Sequence, residues 1–220
     1  MSNYPSYSNH PKVKVVNHPL VQHKLAFLRM KNTPTQVFRA LLREITLLEG
    51  YEATFDMKTK TTSVETPLET AEVTVLDNSG TLIVPILRAG LGFEEGLLQL
   101  IPRAKVGHIG MYRDEETATP NVYFSKMPPD CQNYKVIVVD PMLATGGSMC
   151  AALKFLREEV KITSTITIMV LVAVPEGIKA VLDYDDNVSI VTCAIDRELD
   201  ENFYILPGIG DCGDRLFGTV

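Results

Sequence analysis

The sequence predicts an α/β fold: a mostly parallel central sheet flanked by helices, with a helical N-terminal region and a protruding β-arm. Two observations predict it. Short apolar runs at 73–76, 82–87, 106–112, 136–139, 165–174 and 188–194 alternate with helix-length segments at 92–101, 147–160 and 175–183. Alternation of this kind builds βαβ units with right-handed crossovers. The fourth and fifth runs are also β-branched and almost uninterrupted, as strands covered on both faces must be. At 220 residues, 45% hydrophobic, the chain is long enough to bury a real core as one domain spanning 1–220.

Each element has its own signal. Residues 1–19 are polar, carry three prolines and read as an extended arm. From 20 to 49 the period turns helical, with Leu20, Leu25 and Leu28, then Val37, Leu41, Ile45 and Leu48, at three-to-five-residue steps. Thr33 and Pro34 read as N-cap and first-turn proline of a second helix, and Gly50 as its end. A charged, Thr-rich stretch follows to about 70. The segment 113–130 interrupts the later alternation with Asp114, Glu115, Glu116 and three prolines around a short β-rich piece at 121–125. It reads as a protruding hairpin or lid, or equally as a solvated loop.

Composition excludes several function classes. Acids number 27 and bases 21, giving a net charge of −6, which disfavours nucleic-acid or membrane-surface binding through clustered Lys and Arg. No apolar run reaches the ~18–20 residues of a membrane span, and the first ten residues are too polar for a signal peptide. The four cysteines form no C-x-x-C pair and read as reduced thiols of a cytoplasmic protein. The four histidines lack the spacing of a protein-ligated metal.

The most informative segment is KVIVVDPMLATGGSMCA, from Lys135 to Ala151. A buried strand ends in Asp140, and a turn through Pro141 leads to Ala144, Thr145, Gly146, Gly147 and Ser148, where a helix begins. In open α/β sheets ligands sit at the carboxyl ends of strands, where helix N-termini present unpaired N–H groups. Thr145 and Ser148 add hydroxyl donors, and the glycines allow close approach of backbone. The result is a cup for a phosphate dianion at the positive end of the helix dipole. Gly-Gly-Ser on its own would be only a turn with a cap; the flanking strand and helix favour phosphate.

Two further clusters face the same edge. Arg88 follows the 82–87 run and Arg113 closes the 106–112 run. An arginine fork holds two phosphate oxygens at once, so the pair suggests a diphosphate site. The C-terminal segment YILPGIGD, from Tyr204 to Asp211, exposes backbone donors and acceptors that suit a flat uncharged ring such as uracil, and reads equally well as a packing turn. No P-loop motif occurs. The G-x-G-x-x-G at Gly208–Gly213 has only seven residues after it, too few for a dinucleotide fingerprint, and Glu95 replaces the third glycine after Gly90 and Gly92.

Read together, PILRAGLG, YRDEET, VVDPMLATGGS and AIDRELDENFYILPGIGDCGDR resemble the uracil phosphoribosyltransferases, over almost the whole chain from His18 onward. Pro141 replaces the second of two acids found in most phosphoribosyltransferases, as uracil-specific members do. The resemblance implies a phosphoribosyltransferase fold and transfer of ribose 5-phosphate from 5-phospho-α-D-ribose 1-diphosphate to N1 of uracil, giving UMP and diphosphate. It implies that Asp140, Pro141, Met142, Leu143, Ala144, Thr145, Gly146, Gly147 and Ser148 bind the phosphoribosyl substrate together with Arg88, Arg113 and Asp211. Ile205, Gly210, Asp211 and Cys212 bracket uracil, largely through main-chain groups. Mg²⁺ is implied as cofactor, held by the substrate's diphosphate and water rather than a protein cage. Residues 113–130 correspond to a β-arm used in dimer contacts, and some members assemble as tetramers activated by GTP; no motif here marks a GTP site.

Two alternatives stand beside this reading. A regulator that keeps the scaffold but binds RNA would need a basic face, which the charge disfavours. A purine or orotate substrate is the other; orotate's carboxylate would want a cation between residues 204 and 213, and none is present.

Overall fold

The computed structural model describes residues 7–77, 79–113 and 120–219, with Arg113 and Pro120 described in backbone alone. In chain order the elements are β1 (Val13–Val15), α1 (Pro19–Arg29), α2 (Thr35–Ala53), β2 (Thr59–Glu65), β3 (Thr70–Leu76), β4 (Thr81–Leu87) and α3 (Leu91–Leu100). Then come β5 (Lys105–Val106), β6 (His108–Arg113), β7 (Pro120–Lys126), β8 (Lys135–Val139), β9 (Met142–Leu143) and α4 (Gly147–Glu158). The chain closes with β10 (Ile166–Ala173), α5 (Pro175–Tyr184), β11 (Val188–Ile195), β12 (Glu198–Leu199), β13 (Ile205–Leu206) and α6 (Cys212–Phe217).

The main sheet runs β1-β11-β10-β8-β4-β6-β7, parallel except for the β6–β7 pair. Its central strands are buried because residues of both parities are apolar. Val136 and Val138 of β8 pack with Leu153 of α4 and Ile178 of α5, while Ile137 and Val139 face a second core with Phe38 of α2, Phe93 of α3 and Leu216 of α6. Alternate residues of a strand point to opposite faces, so one run of valines and isoleucines feeds both layers.

The order also fixes where a ligand can enter. β4 and β8 are neighbours, yet α3 follows β4 onto the face of α2, and α4 follows β8 onto the other. Adjacent parallel strands whose connections leave to opposite faces open a crevice at their carboxyl ends. Arg88 and Asp140 are the residues that follow those two strands.

The N-terminal half departs from the sequence expectation in several places. The arm is not simply extended, since β1 adds an edge strand with Val13 opposite Ile190. The inward face of α2 carries Phe38, Leu42 and Ile45, while Val37 is exposed; the expected apolar stripe was one residue out of phase at its start. In α1, Val21, Leu25 and Leu28 are buried and Leu20 is exposed. Pro34 occupies the N-cap position with helix starting at Thr35, and Gly50 does not end α2, which runs on to Ala53. A Cβ at Gly50 would lie 2.9 Å from Leu97 Cδ2, so this glycine lets α2 and α3 pack closely. The Thr-rich stretch forms β2, hairpin partner of β3 in a separate two-stranded sheet.

Within the interrupting segment 113–130, β7 pairs antiparallel with β6, His108 lying opposite Lys126 and Arg113 opposite Pro120. Asp114, Glu115 and Glu116 of the YRDEET motif lie outside the described residues. No helix among the described residues is long and apolar enough to cross a membrane.

Candidate active site

The phosphate segment is held more firmly than a turn would be. Val139 of β8 pairs with Met169 of β10, and after a break at Asp140 and Pro141 the chain rejoins β10 as β9, with Met142 opposite Val172 and Leu143 opposite Ala173. Val172 N–H donates to the Pro141 carbonyl and Val174 N–H to that of Leu143, both at 3.1 Å. Ala144, Thr145 and Gly146 then turn into α4. Gly146 has φ +84°, a conformation that favours glycine, and a Cβ there would lie 2.9 Å from Ala180 Cβ. Across the loop, a Cβ at Gly177 of α5 would meet the Ala144 carbonyl at 2.3 Å. Strand on one side and α5 on the other fix the loop's path.

At the helix start, Cys150 N–H is bonded to the Gly146 carbonyl at 2.9 Å, so the N–H groups of Gly147, Ser148 and Met149 precede the first closed turn. Gly147 N–H reaches the Thr145 hydroxyl at a long 3.4 Å. Ser148 is exposed beside it. Such a set of free helix-start donors is of the kind that binds anions.

Asp140 lies half-buried at the break between β8 and β9. Burial raises its carboxyl from 3.8 to about 7, opposed by a backbone hydrogen bond from Met142. Beside β8, the turn after β4 carries Arg88, whose guanidinium is more than half exposed. It lies 3.4 Å from the Asp214 carboxylate and 5.6 Å from the Phe217 ring. Gly90 brings this turn against β8, since a Cβ would lie 2.5 Å from the Val139 carbonyl. The Leu87–Arg88 and Leu206–Pro207 peptide bonds are cis. Arg113 stands at the outer end of β6, the strand next to β4.

The C-terminal segment closes the crevice. Ile205 is buried in β13, paired with Leu199 of β12, whereas Gly210 and Asp211 are exposed. Asp211 caps α6, its carboxylate accepting the Asp214 N–H at 2.9 Å. This short helix was not expected. Cys212 is fully buried, and its thiol is pushed well above its ordinary value by burial, then by Asp140 and Asp211. The thiol is therefore a packed, protonated group, and what the loop offers a ligand is backbone.

The structure thus gathers Arg88, Asp140, the 144–148 loop and the 210–212 turn at one edge of the sheet, with Arg113 on the neighbouring strand. Sequence reasoning missed the groups behind the 205–210 loop: Arg29, Asp196 and Arg215. Arg29 is joined to Asp196 by two 2.7 Å hydrogen bonds, and both hold Gly208. The two residues stand 167 positions apart, so no local pattern links them.

Comparison with known proteins agrees with this architecture. A solved structure of the AQ2163 protein from Aquifex aeolicus superposes with a TM-score of 0.86 at 36% identity, over 93% of this chain and 97% of that one. An adenine phosphoribosyltransferase from Trypanosoma brucei shares the fold alone, with a TM-score of 0.55 at 12% identity over 88% of this chain and 87% of that one. Proteins named uracil phosphoribosyltransferase are similar over 94% of this chain. The one from Listeria welshimeri is 52% identical over 98% of its own length, and that from Alkaliphilus oremlandii 50% identical over 99%. The uracil phosphoribosyltransferase family model matches residues 15–219, and the chain belongs to that family.

Proposed function

We propose that this chain transfers ribose 5-phosphate from 5-phospho-α-D-ribose 1-diphosphate to N1 of uracil, releasing UMP and diphosphate. The observation that carries the reading is convergence: a phosphate cup, a carboxylate, an exposed arginine and a rigid backbone loop meet at one switch point of the sheet, in a chain of this family.

The N–H groups of Gly147, Ser148 and Met149, with the Thr145 and Ser148 hydroxyls, donate to the 5-phosphate. The Asp140 carboxylate accepts from the ribose hydroxyls. Arg88 and Arg113 hold the diphosphate, which gains charge as the anomeric C–O bond breaks. The main chain of Ile205 and of residues 210–212 holds uracil's edge, placing N1 against the anomeric carbon. Catalysis is then positioning and electrostatic stabilisation of the leaving group, with no protein nucleophile.

The donor set suits a hard cation carried by the substrate. Asp140, Asp211 and Asp214 offer oxygens at the crevice. Among the described residues, however, no three His, Cys, Asp or Glu side chains group to hold a metal. Mg²⁺ bound through the diphosphate and water would neutralise the leaving group's charge. A homodimer or homotetramer through the β6–β7 arm is supported by the exposed Tyr112, Tyr123 and Phe124 there. GTP remains a candidate activator of that assembly. Four unpaired cysteines fit a cytoplasmic location.

The test is a substrate panel. Purified protein with phosphoribosyl diphosphate and Mg²⁺ is expected to convert uracil to UMP and to leave orotate and hypoxanthine unchanged. Preferential turnover of either of those bases would refute the reading.

A further inference from the structure

The 205–210 loop has no regular structure beyond β13, yet its backbone groups are accounted for from behind. The Arg29 fork, from the last turn of α1, donates to both carboxylate oxygens of Asp196 at 2.7 Å and from Nη1 to the Gly208 carbonyl at 2.8 Å. Asp196 accepts the Gly208 N–H at 2.9 Å, and its own N–H donates to the Ala173 carbonyl at the end of β10, at 2.7 Å. Both polar groups of Gly208 are therefore fixed to one ion pair anchored on the sheet. Arg215 of α6 makes a second tie, donating to the Ile209 carbonyl at 2.7 Å and to the Met30 carbonyl at 2.6 Å, with its guanidinium over the Phe38 ring at 4.6 Å. Two guanidinium groups thus join residues 29–30 to residues 208–209.

The Asp196 side chain is 5% exposed, and among the described residues these donors compensate its charge. Gly208 itself has φ +62°, and a Cβ there would lie 2.0 Å from the Ile205 carbonyl. The loop is tightly folded around these ties. Nothing in this network touches the 144–148 loop or Arg88. Its hydrogen bonds thus bear on the base loop rather than on the phosphate cup.

We infer that Arg29 and Asp196, seconded by Arg215, are positioning residues that preset the 205–210 backbone for the base, and so set uracil affinity separately from phosphoribosyl diphosphate affinity. This rests on the uracil reading above. A loop already held in its binding geometry loses less freedom when the ligand arrives. Arg29 must be arginine, because a single ammonium cannot span the carboxylate and the Gly208 carbonyl with a planar fork.

The experiment compares wild type with Arg29→Lys, which keeps the charge beside Asp196, and measures KM for each substrate, kcat and the thermal midpoint. The expected result is a uracil KM raised about 10-fold or more, the size of losing hydrogen bonds to a charged group. KM for phosphoribosyl diphosphate should stay within about twofold. A folded Arg29→Lys protein with unchanged uracil KM, or with both KM values raised together, overturns the inference. Should that variant not fold, Arg215→Lys is read by the same split, as is the charge-neutral pair Arg29→Gln with Asp196→Asn. A wild type that turns over no uracil defeats the functional reading itself, a different result from an active wild type with insensitive variants.

Discussion

The Arg88 guanidinium stands 3.4 Å from the Asp214 carboxylate while remaining more than half open to solvent. An exposed pair at that distance is weak, of the order of 1 kcal/mol or less, so Asp214 orients the arginine without consuming it. Under the proposed function, the other donors of the fork are left for the diphosphate. Arg88→Ala is expected to lower kcat/KM by about 100-fold, the size of losing one charge-stabilising donor. Steady-state kinetics at saturating uracil check this, and Arg88→Lys should fall between the two.

Asp140 gives a pH prediction whose sign follows from its raised carboxyl. Between 3.8 and about 7 the folded chain keeps a proton that the unfolded chain has lost. Its contribution to stability is thus present at acid pH and lost as pH rises through that window. Under the proposed binding mode, binding runs the other way, because the ionised carboxylate is a stronger acceptor for ribose hydroxyls than the protonated acid. Affinity for phosphoribosyl diphosphate should rise with pH through about 7, and Asp140→Asn should flatten that limb. Titration calorimetry between pH 6 and 8.5, roughly one pKa unit either side, is the measurement.

Gly146→Ala tests the cup. The substitution forces a side chain into φ +84° and brings a Cβ within 2.9 Å of Ala180. A loss of about 1–3 kcal/mol in urea-derived stability is expected, together with a raised KM for phosphoribosyl diphosphate. Gly210→Ala has open space around its Cβ, with Arg215 Cδ at 3.8 Å, and φ +72°. It should cost only the backbone term, about 1 kcal/mol.

Cys212 is expected to resist alkylation. A buried, protonated thiol lacks both access and thiolate character. Peptide mapping after iodoacetamide treatment at pH 8, about half a unit below an ordinary thiol pKa, should find Cys212 unmodified in the native protein and modified once it is denatured.

The parts legible in the sequence are those whose cause is local. β8 and β10 are apolar at both parities, so their burial on two faces is written in consecutive residues. The 140–148 segment carries strand, turn and helix start within a few positions. By contrast β1 is only three residues long and β2 has one apolar residue, so neither announces itself, and each exists because a neighbour supplies the pairing. At the start of α2 Val37 and Phe38 are both apolar, so periodicity does not choose between them, and packing against α3 and α6 selects Phe38. Arg29 and Asp196 were illegible for the same reason at longer range: their meeting depends on α1 crossing the end of β11. For the site, the candidate residues at the sheet edge carry local chemical signals, whereas those holding the 205–210 loop needed the fold.

If the site works as proposed, the crevice between β4 and β8 releases diphosphate from the sugar diphosphate only together with transfer to the base. Diphosphate release from 5-phospho-α-D-ribose 1-diphosphate, followed continuously, tests it most directly. Release is expected to require uracil and Mg²⁺ together and to match UMP formation one for one. Release at the same rate without uracil, or none with both present, would contradict it.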